Sequence, residues 1–389
     1  TLSIEGKYQI LKIEARDATY WMDIDRKNRC FQNTNITVSE VMKEIMKGYG
    51  KSDFICNLPD EPIGELLFQY EETDWEFLNR FFSRYHDYLY PSATFQTIHY
   101  QAGCSIQDEK VFWDKLPFKK RKDFGQLEYL KRNGLYSLLS AQCLLYDLES
   151  YDIVSLGSRV YYRGNYWYIS AIQRKLSHGL LVNSYELRQK ESMWLERYYN
   201  SQLTGISMYA VAVNTQRDRL QAVMQNEALG ENCYWFPFSS VSSSSDGSGW
   251  YCMPEPGESV RIYFPTAKEA EAYVITCIQG HAPAGKDDPM GNPDVRSIST
   301  DSNLIQFDED GILIAAKQGD AKVSLKKDGL VCISAPEGID ISPEAECKFS
   351  SNKVDFAATT SIQINDDSGA SITAGAAGMF LNGQEIYEN

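Results

Sequence analysis

Leu67-Phe68-Gln69-Tyr70-Glu71-Glu72-Thr73-Asp74-Trp75-Glu76-Phe77-Leu78-Asn79-Arg80 is the stretch on which the fold turns. Its second half carries the marks of a helix start. Thr73 stands where a cap is needed, Glu76 follows three residues later to answer it, and Trp75, Leu78, Phe81 and Phe82 recur at helical spacing. Glu71, Glu72 and Asp74 then fall at a helix N-terminus, where the macrodipole favours negative charge, so they read as structural acids rather than a catalytic pair.

A similar signal lies upstream. Thr37 and Glu40 form a second capping box, Val38, Val41, Met42 and Ile45 share one face, and the helix is expected to stop at Gly48 or Gly50. Strand-like runs follow, among them Arg159 to Ile169, in which Gly164-Asn165 reads as a hairpin turn. Residues 1–201 are therefore expected to form an α+β domain. Its opening, Thr1-Leu2-Ser3-Ile4, reads as the middle of a strand, so the chain is expected to begin inside a longer protein.

Downstream the pattern becomes all-β. Short alternating runs at Tyr209 to Val213, Leu220 to Met224, Ser259 to Phe264 and Tyr273 to Ile278 suit a small barrel over 202–285. The Ser- and Gly-rich stretch from Ser239 to Gly249 is expected to be a long loop. A turn-rich linker, 286–302, leads into the remainder, 303–389.

The last segment has a different composition. From Lys286 onward there is no Trp, and 8 basic residues face 18 acidic ones, so most of the chain's net charge of −15 sits there. Apolar residues come in pairs that skip one position, as on one face of a strand: Ile312 and Ile314, Val323 and Leu325, Leu330 and Cys332, Ile339 and Ile341, Cys347 and Phe349, Val354 and Phe356, Ile362 and Ile364, Met379 and Leu381. An apolar-x-x-Asp-Gly-apolar turn recurs at Phe307 to Ile312 and at Leu325 to Leu330. Strands this short bury too little surface to offset their ordering entropy alone, so something must cover the apolar face. Either three copies wind about one axis, or a single chain closes on itself as a β-solenoid or sandwich.

Bulk features narrow the function classes. A net charge of −15 opposes binding to a phosphate backbone, which needs clustered Lys and Arg, so no nucleic-acid partner is expected. No apolar run approaches the roughly 20 residues that span a bilayer, and no charged-then-apolar leader opens the chain. The nine cysteines are scattered and never form a C-x-x-C pair, which reads as reduced buried thiols. The histidines His86, His99, His178 and His281 have no ligand spacing, so no metal and no cofactor is expected.

The Leu67 to Arg80 stretch resembles the Gln-Tyr-x-Glu-Ser/Thr-Asp-Trp-x-Phe-Leu-x-Arg signature of VgrG-type spike and hub proteins of contractile injection systems, the late-control protein D family of phage tails. The residues taken as its signature are Gln69, Tyr70, Glu71, Asp74, Trp75, Phe77, Leu78 and Arg80, with Glu72 at the signature's own Glu position. The stretch from Gly247 to Ile262 is similar to the Trp-x-x-x-Pro-x-x-Gly-x-x-Val segment of that family's OB-fold, at Trp250, Pro254, Gly257 and Val260. Gly205 to Val213, followed by Arg217 to Val223, looks like the entry to the same barrel.

The resemblance implies a multidomain, mainly β protein: a tail hub with β-barrels at 1–201, lacking part of its first barrel, an OB-fold at 202–285, and a trimeric β-helix or β-prism stalk at 303–389. The stalk's trimer core would be Ile312, Ile314, Val323, Leu325, Leu330, Ile339, Ile341, Phe349, Val354, Phe356, Ile362 and Ile364. It further implies a homotrimer made in the producer's cytoplasm, tail-tube and baseplate partners at the hub, a separate tip protein or effector at the stalk end, and a target cell envelope on firing. No residue would be catalytic.

Two other readings remain beside it. An OB-fold raises ligand binding, for which Trp235, Phe236, Phe238, Trp250 and Tyr251 supply aromatics, although core packing or trimer contacts are the plainer use. A β-helical tail protein that degrades polysaccharide would want paired carboxylates about 5 to 10 Å apart, and one that binds the cell envelope would need no chemistry at all. Asp246-Gly247-Ser248-Gly249 precedes a strand-like run rather than a helix, so it reads as a loop and not as a nucleophile elbow.

Overall fold

A computed structural model describes residues 2–5, 8–11, 15–224, 233–240, 252–277, 292–300, 302–316, 320–365, 367 and 370–383. The protein is multidomain and mainly β, and it divides into two compact units, Thr1–Gly280 and His281–Asn389. Trp250, the Ser239 to Gly249 loop beyond Ser240, and residues 286–291 and 301 of the expected linker lie outside the described residues.

Both capping boxes form. Helix α1, Val38–Met46, is capped by Thr37 with Glu40 reciprocating, and helix α2, Asp74–Ser83, by Thr73 with Glu76 reciprocating. Each satisfies backbone N–H groups that a helix start leaves orphaned. α1 ends at Lys47, one residue before the expected Gly48. A third helix, α3 at Phe124–Arg132, has Asp123 as its cap, accepting from the Gln126 N–H at 2.9 Å.

α1 and α2 pack their apolar stripes together. Val41, Met42, Ile45, Phe77, Leu78, Phe81 and Phe82 are buried in one cluster, covered by a three-stranded sheet in the order Ser52–Cys56, Ile98–Ala102, Leu89–Pro91. The strand Leu67–Thr73 pairs antiparallel with Arg26–Phe31 and serves two cores at once: Leu67 enters the helical cluster, while Leu66 and Phe68 enter the core of the five-stranded sheet within residues 202–277.

Next comes a six-stranded sheet in the order Asp108–Glu109, Arg159–Tyr162, Asn165–Ser177, Leu180–Arg188, Leu144–Ser150, Phe118–Lys122. It is not a barrel, contrary to the hub barrels implied by the resemblance. One edge strand is only two residues long, and the other carries Lys119, Lys120, Arg121 and Lys122 in succession, a run of like charge that discourages further strand pairing. The hairpin turn falls one residue earlier than the sequence suggested. Arg163 and Gly164 are its two left-handed residues, at φ 51° and 84°, and Asn165 already pairs with Tyr162.

Residues 202–277 carry a five-stranded antiparallel sheet in the order Trp235–Pro237, Arg219–Met224, Ser207–Gln216, Ser259–Tyr263, Tyr273–Cys277. Its outer strands approach each other through one parallel bridge, Phe238 to Val274, where the Ser239 N–H donates to the Val274 carbonyl at 2.8 Å. With only three residues in its first strand, the sheet's edges share this bridge and no ladder, so it is not fully closed.

The second unit contains a five-stranded antiparallel meander, Arg296–Ser299, Leu304–Asp308, Gly311–Ala316, Ala321–Lys326, Val331–Ser334, and a three-stranded one, Ser361–Asn365, Ser371–Gly375, Gly378–Asn382. Between them, residues 335–360 form no strand. The expected strand pairs Ile339 and Ile341, Cys347 and Phe349, Val354 and Phe356 therefore lie on chain without a ladder. Alternation in sequence offers a strand face, but a strand exists only where a neighbour accepts its hydrogen bonds.

Candidate functional sites: a buried ion network and an uncovered sheet face

The signature residues gather into one polar network under α2. Opposite Asn28 the strand Leu67–Thr73 carries an extra residue, a β-bulge at which Glu71 takes φ 49°. Asn28 secures it twice, accepting from the Glu71 N–H at 2.8 Å and donating to the Glu71 carboxylate at 2.9 Å. Gln69, fully buried, donates to the Glu72 carbonyl at 2.9 Å and to Asp74 at 3.0 Å.

Asp74 is the hub of this cluster. Its buried carboxylate accepts from Lys27 Nζ and the Tyr49 hydroxyl, each at 2.6 Å, and from Arg29. Burial alone would raise its pKa, but hydrogen bonds from Lys27, Tyr49, Gln69 and Arg29 hold it below the ordinary carboxylate value. Such a group stays ionised at neutral pH and has no proton to give. Trp75 meets Tyr100 edge-on at 5.7 Å, and Phe77 stacks between Phe31 and Phe81.

Arg80 ties this helix to the five-stranded sheet. Only 3% exposed, it forms a bidentate pair with Glu72 through Nε and Nη2, both at 2.7 Å, and gives a further bond to the Phe68 carbonyl at 2.8 Å. Its Nη1 donates at 2.5 Å to Glu269, which lies on the short 3-10 turn Glu269–Glu271 before the last strand of that sheet. Burial would lower the Arg80 pKa, yet Glu72 and Glu269 raise it. Nearby, the Tyr70 carbonyl accepts from Asn200 Nδ2 at 2.7 Å. Lys27, Arg29, Tyr49, Asn200 and Glu269 were not singled out in the sequence. Glu269 stands 189 residues from Arg80, and no local pattern announces such a partner.

In the five-stranded sheet, Val260 is fully buried and pairs with Ala210, while Pro254 is buried beside it. Gly257 has φ +98° and donates its N–H to the Ala212 carbonyl at 2.8 Å, a turn that a residue with a side chain would strain. Phe236 is fully buried in that core and Phe238 packs against it, so neither is presented to a ligand.

Chemistry-bearing groups elsewhere are quiet. Among the described residues no cluster of His, Cys, Asp and Glu is arranged to hold a metal ion. Buried Cys104 lies 3.1 Å from the Tyr90 hydroxyl, and burial followed by the Asp87 charge pushes its thiol up to about 11, so it remains protonated at neutral pH. No described helix is long and apolar enough to cross a membrane.

The second unit presents its feature openly. Strand registers join Ile298, Ile305, Ile314, Val323 and Ile333 into one cross-strand row, and Phe307, Ile312, Leu325 and Val331 into a second row two residues along on the same face. Of the unit's described apolar residues, only Ala315 is buried; Ile314 is 49% exposed and Ile333 56%. In the three-stranded sheet Ile362, Ala374 and Met379 align, as do Ile364, Ile372 and Leu381.

The registers correct one phase. Val331 and Ile333 belong to the apolar rows, whereas Cys332 pairs with Ser324 on the opposite face and Leu330 precedes the strand. Leu330 instead closes a turn, its N–H donating to Asp328 Oδ1 at 3.0 Å. Ile298, Ile305 and Phe307 were also not foreseen as members. The remaining residues named for the stalk core, Ile339, Ile341, Phe349, Val354 and Phe356, are all exposed on the ladder-free segment.

Comparison with known proteins gives faint likenesses. The 43 kDa tail protein of prophage MuSo2 from Shewanella oneidensis is similar at 13% identity and a TM-score of 0.35, over 47% of this chain and 72% of that one. A Francisella PdpA-VgrG complex in a half-lidded state is similar at 10% identity and a TM-score of 0.26, with 94% of this chain covering 54% of its counterpart. No protein-family model and no curated protein matches. Likenesses this weak carry no argument for fold or function, and what the chain does is argued from its own residues.

Proposed function

We propose that the chain is a structural hub and spike of a contractile, phage-tail-like injection system, assembled as a homotrimer and without enzymatic activity. The uncovered two-row apolar face of the second unit carries this reading. Covering one aliphatic or aromatic side chain gains about 1.5–3 kcal/mol, and a contiguous apolar face of this kind marks an interaction surface. Three copies facing one axis would bury Ile312, Ile314, Val323 and Leu325 together with Ile298, Ile305, Phe307, Val331 and Ile333. The chain between residues 335 and 360, whose apolar residues alternate without a strand partner, would find its ladder on neighbouring copies.

Other features support the same reading. The Gln69 to Arg80 signature is spent on an ion network that fastens α2 to the five-stranded sheet, as a load path through a hub requires. That sheet's order, with its two edges meeting at Phe238 and Val274, supports reading it as an OB-fold. In this role the hub seeds the tail tube on a baseplate, the acidic stalk of 303–389 points at the target envelope, and a separate tip protein or effector sits at its end. The particle would be assembled in the producer's cytoplasm.

Light scattering on the purified protein over a range of concentrations tests the proposal. A mass of three chains that persists on dilution and falls to one chain in the Ile312→Asp, Ile314→Asp double variant supports the spike. A stable wild-type monomer would sink it.

A further inference from the structure

Three aromatic rings stand in water around one hollow of the first unit. Trp21 is 65% exposed, Phe95 51% and Tyr20 40%. The hollow measures about 880 Å3 and lies between the short 3-10 helix Ala18–Met22, with the residues just before it, and Ala93, Phe95 and Gln96 in the connection from Leu89–Pro91 to Ile98–Ala102. That volume is within the range of about 300–1,000 Å3 common for small-molecule sites.

Two of the rings, Tyr20 and Phe95, are held in place. Asp17 caps the short helix by accepting from the Thr19 N–H at 2.9 Å, while Thr19 and Met22 are buried behind it. The Arg16 guanidinium lies 4.6 Å from the centre of the Tyr20 ring, and Phe95 stacks on His99 at 3.9 Å. Exposed rings fixed from behind lose little freedom when a ligand arrives, so their contacts are not offset by ordering costs.

The chemistry of the walls selects the ligand. Aromatic faces attract the C–H face of a pyranose ring, and Arg16, Asp17 and Gln96 offer donors and acceptors to hydroxyl groups spaced around it. One cation against one anion gives no pull on a polyanion such as nucleic acid. The mixed polar lining suits an acyl chain poorly.

We infer that the hollow bounded by Trp21, Tyr20 and Phe95 is a binding site for a neutral saccharide. Trp21 and Phe95 provide stacking platforms on its two sides, and Arg16, Asp17 and Gln96 read hydroxyls. This inference is independent of the trimeric spike, since every residue it uses belongs to one unit of one chain.

Isothermal titration of the full chain with chitotetraose and with cellotetraose tests it, followed in parallel by tryptophan fluorescence. The chain has seven tryptophans, so the part of the spectral change that is lost in Trp21→Ala is the part assigned to Trp21. Binding of either sugar, weakened at least tenfold in both Trp21→Ala and Phe95→Ala and unchanged in the distant Tyr136→Ala, supports the inference. Preference for chitotetraose would name an N-acetylated wall glycan as the source, and equal binding a plain pyranose surface. Absence of heat and spectral change with both sugars overturns it, as does wild-type affinity in the two aromatic variants when their thermal unfolding matches the wild type.

Discussion

The two units use apolar residues in opposite ways. In the first, α1 and α2 bury their stripes, Trp75 only in part, and even polar signature residues such as Gln69, Asp74 and Arg80 are sealed inside with partners. In the second, strands of equal regularity line up Ile, Val, Leu and Phe in register and leave them in water. A helix that folds back on a sheet completes its own core within one chain. A flat meander of five short strands has no second layer of its own, and its stability must come from whatever layer is added. The contrast separates a body built to be rigid by itself from an element built to be completed.

Arg80→Ala should strike the first unit hardest. It strands Glu72 and Glu269 as buried unpaired charges, a loss of about 3–5 kcal/mol. Chemical denaturation should show that loss in the first unit while hydrogen exchange in the strands Gly311–Ala316 and Ala321–Lys326 stays as it was; a loss under about 1 kcal/mol would mean Arg80 is no weld.

Gly311→Ala should do the reverse. At φ +137° a Cβ there would lie 2.0 Å from the Leu325 carbonyl oxygen, so the two strands must part. Strain of this kind costs about 1–3 kcal/mol, and faster amide exchange confined to residues 304–334 is the expected reading. Equal protection in variant and wild type would mean that this pairing does not hold in solution.

Acid should separate the units as well. The Asp74 pKa is lowered in the folded first unit, so its contribution is present above the unfolded value near 3.8 and is lost as pH falls through the folded one. Stability of that unit should therefore drop below about pH 4, and Asp74→Asn should be less stable at neutral pH but flatter on the acid side. An unchanged acid slope in that variant would assign the dependence to other groups. The smallest effect is expected from Thr37→Ala, which removes one cap bond from α1 for about 1 kcal/mol in thermal unfolding; no shift at all would show the capping box idle in solution.

Much of this was readable from nearest neighbours in sequence. The capping boxes at Thr37 and Thr73 involve residues three apart, and their stripes repeat within one helix, so each signal and its structural answer lie within a dozen residues. Asp123 gave the same kind of cue for α3 and went unread. Alternation likewise marked strands at Ile312, Val323 and Ile362. It misjudged Leu330 and Cys332, because Leu330-Val331-Cys332-Ile333 is apolar in both phases and only pairing with Val323 and Leu325 selects Val331 and Ile333.

By itself, then, the sequence determined local elements: the capped helices, the hairpin near Gly164, and an acidic terminal segment of alternating apolar pairs. Tertiary structure alone decided which distant charges meet, since Glu269 joins Arg80 only once the five-stranded sheet has brought it there. It also decided which alternating runs became strands, because ladder partners come from neighbours in space, and residues 335–360 pair in no ladder with the described residues.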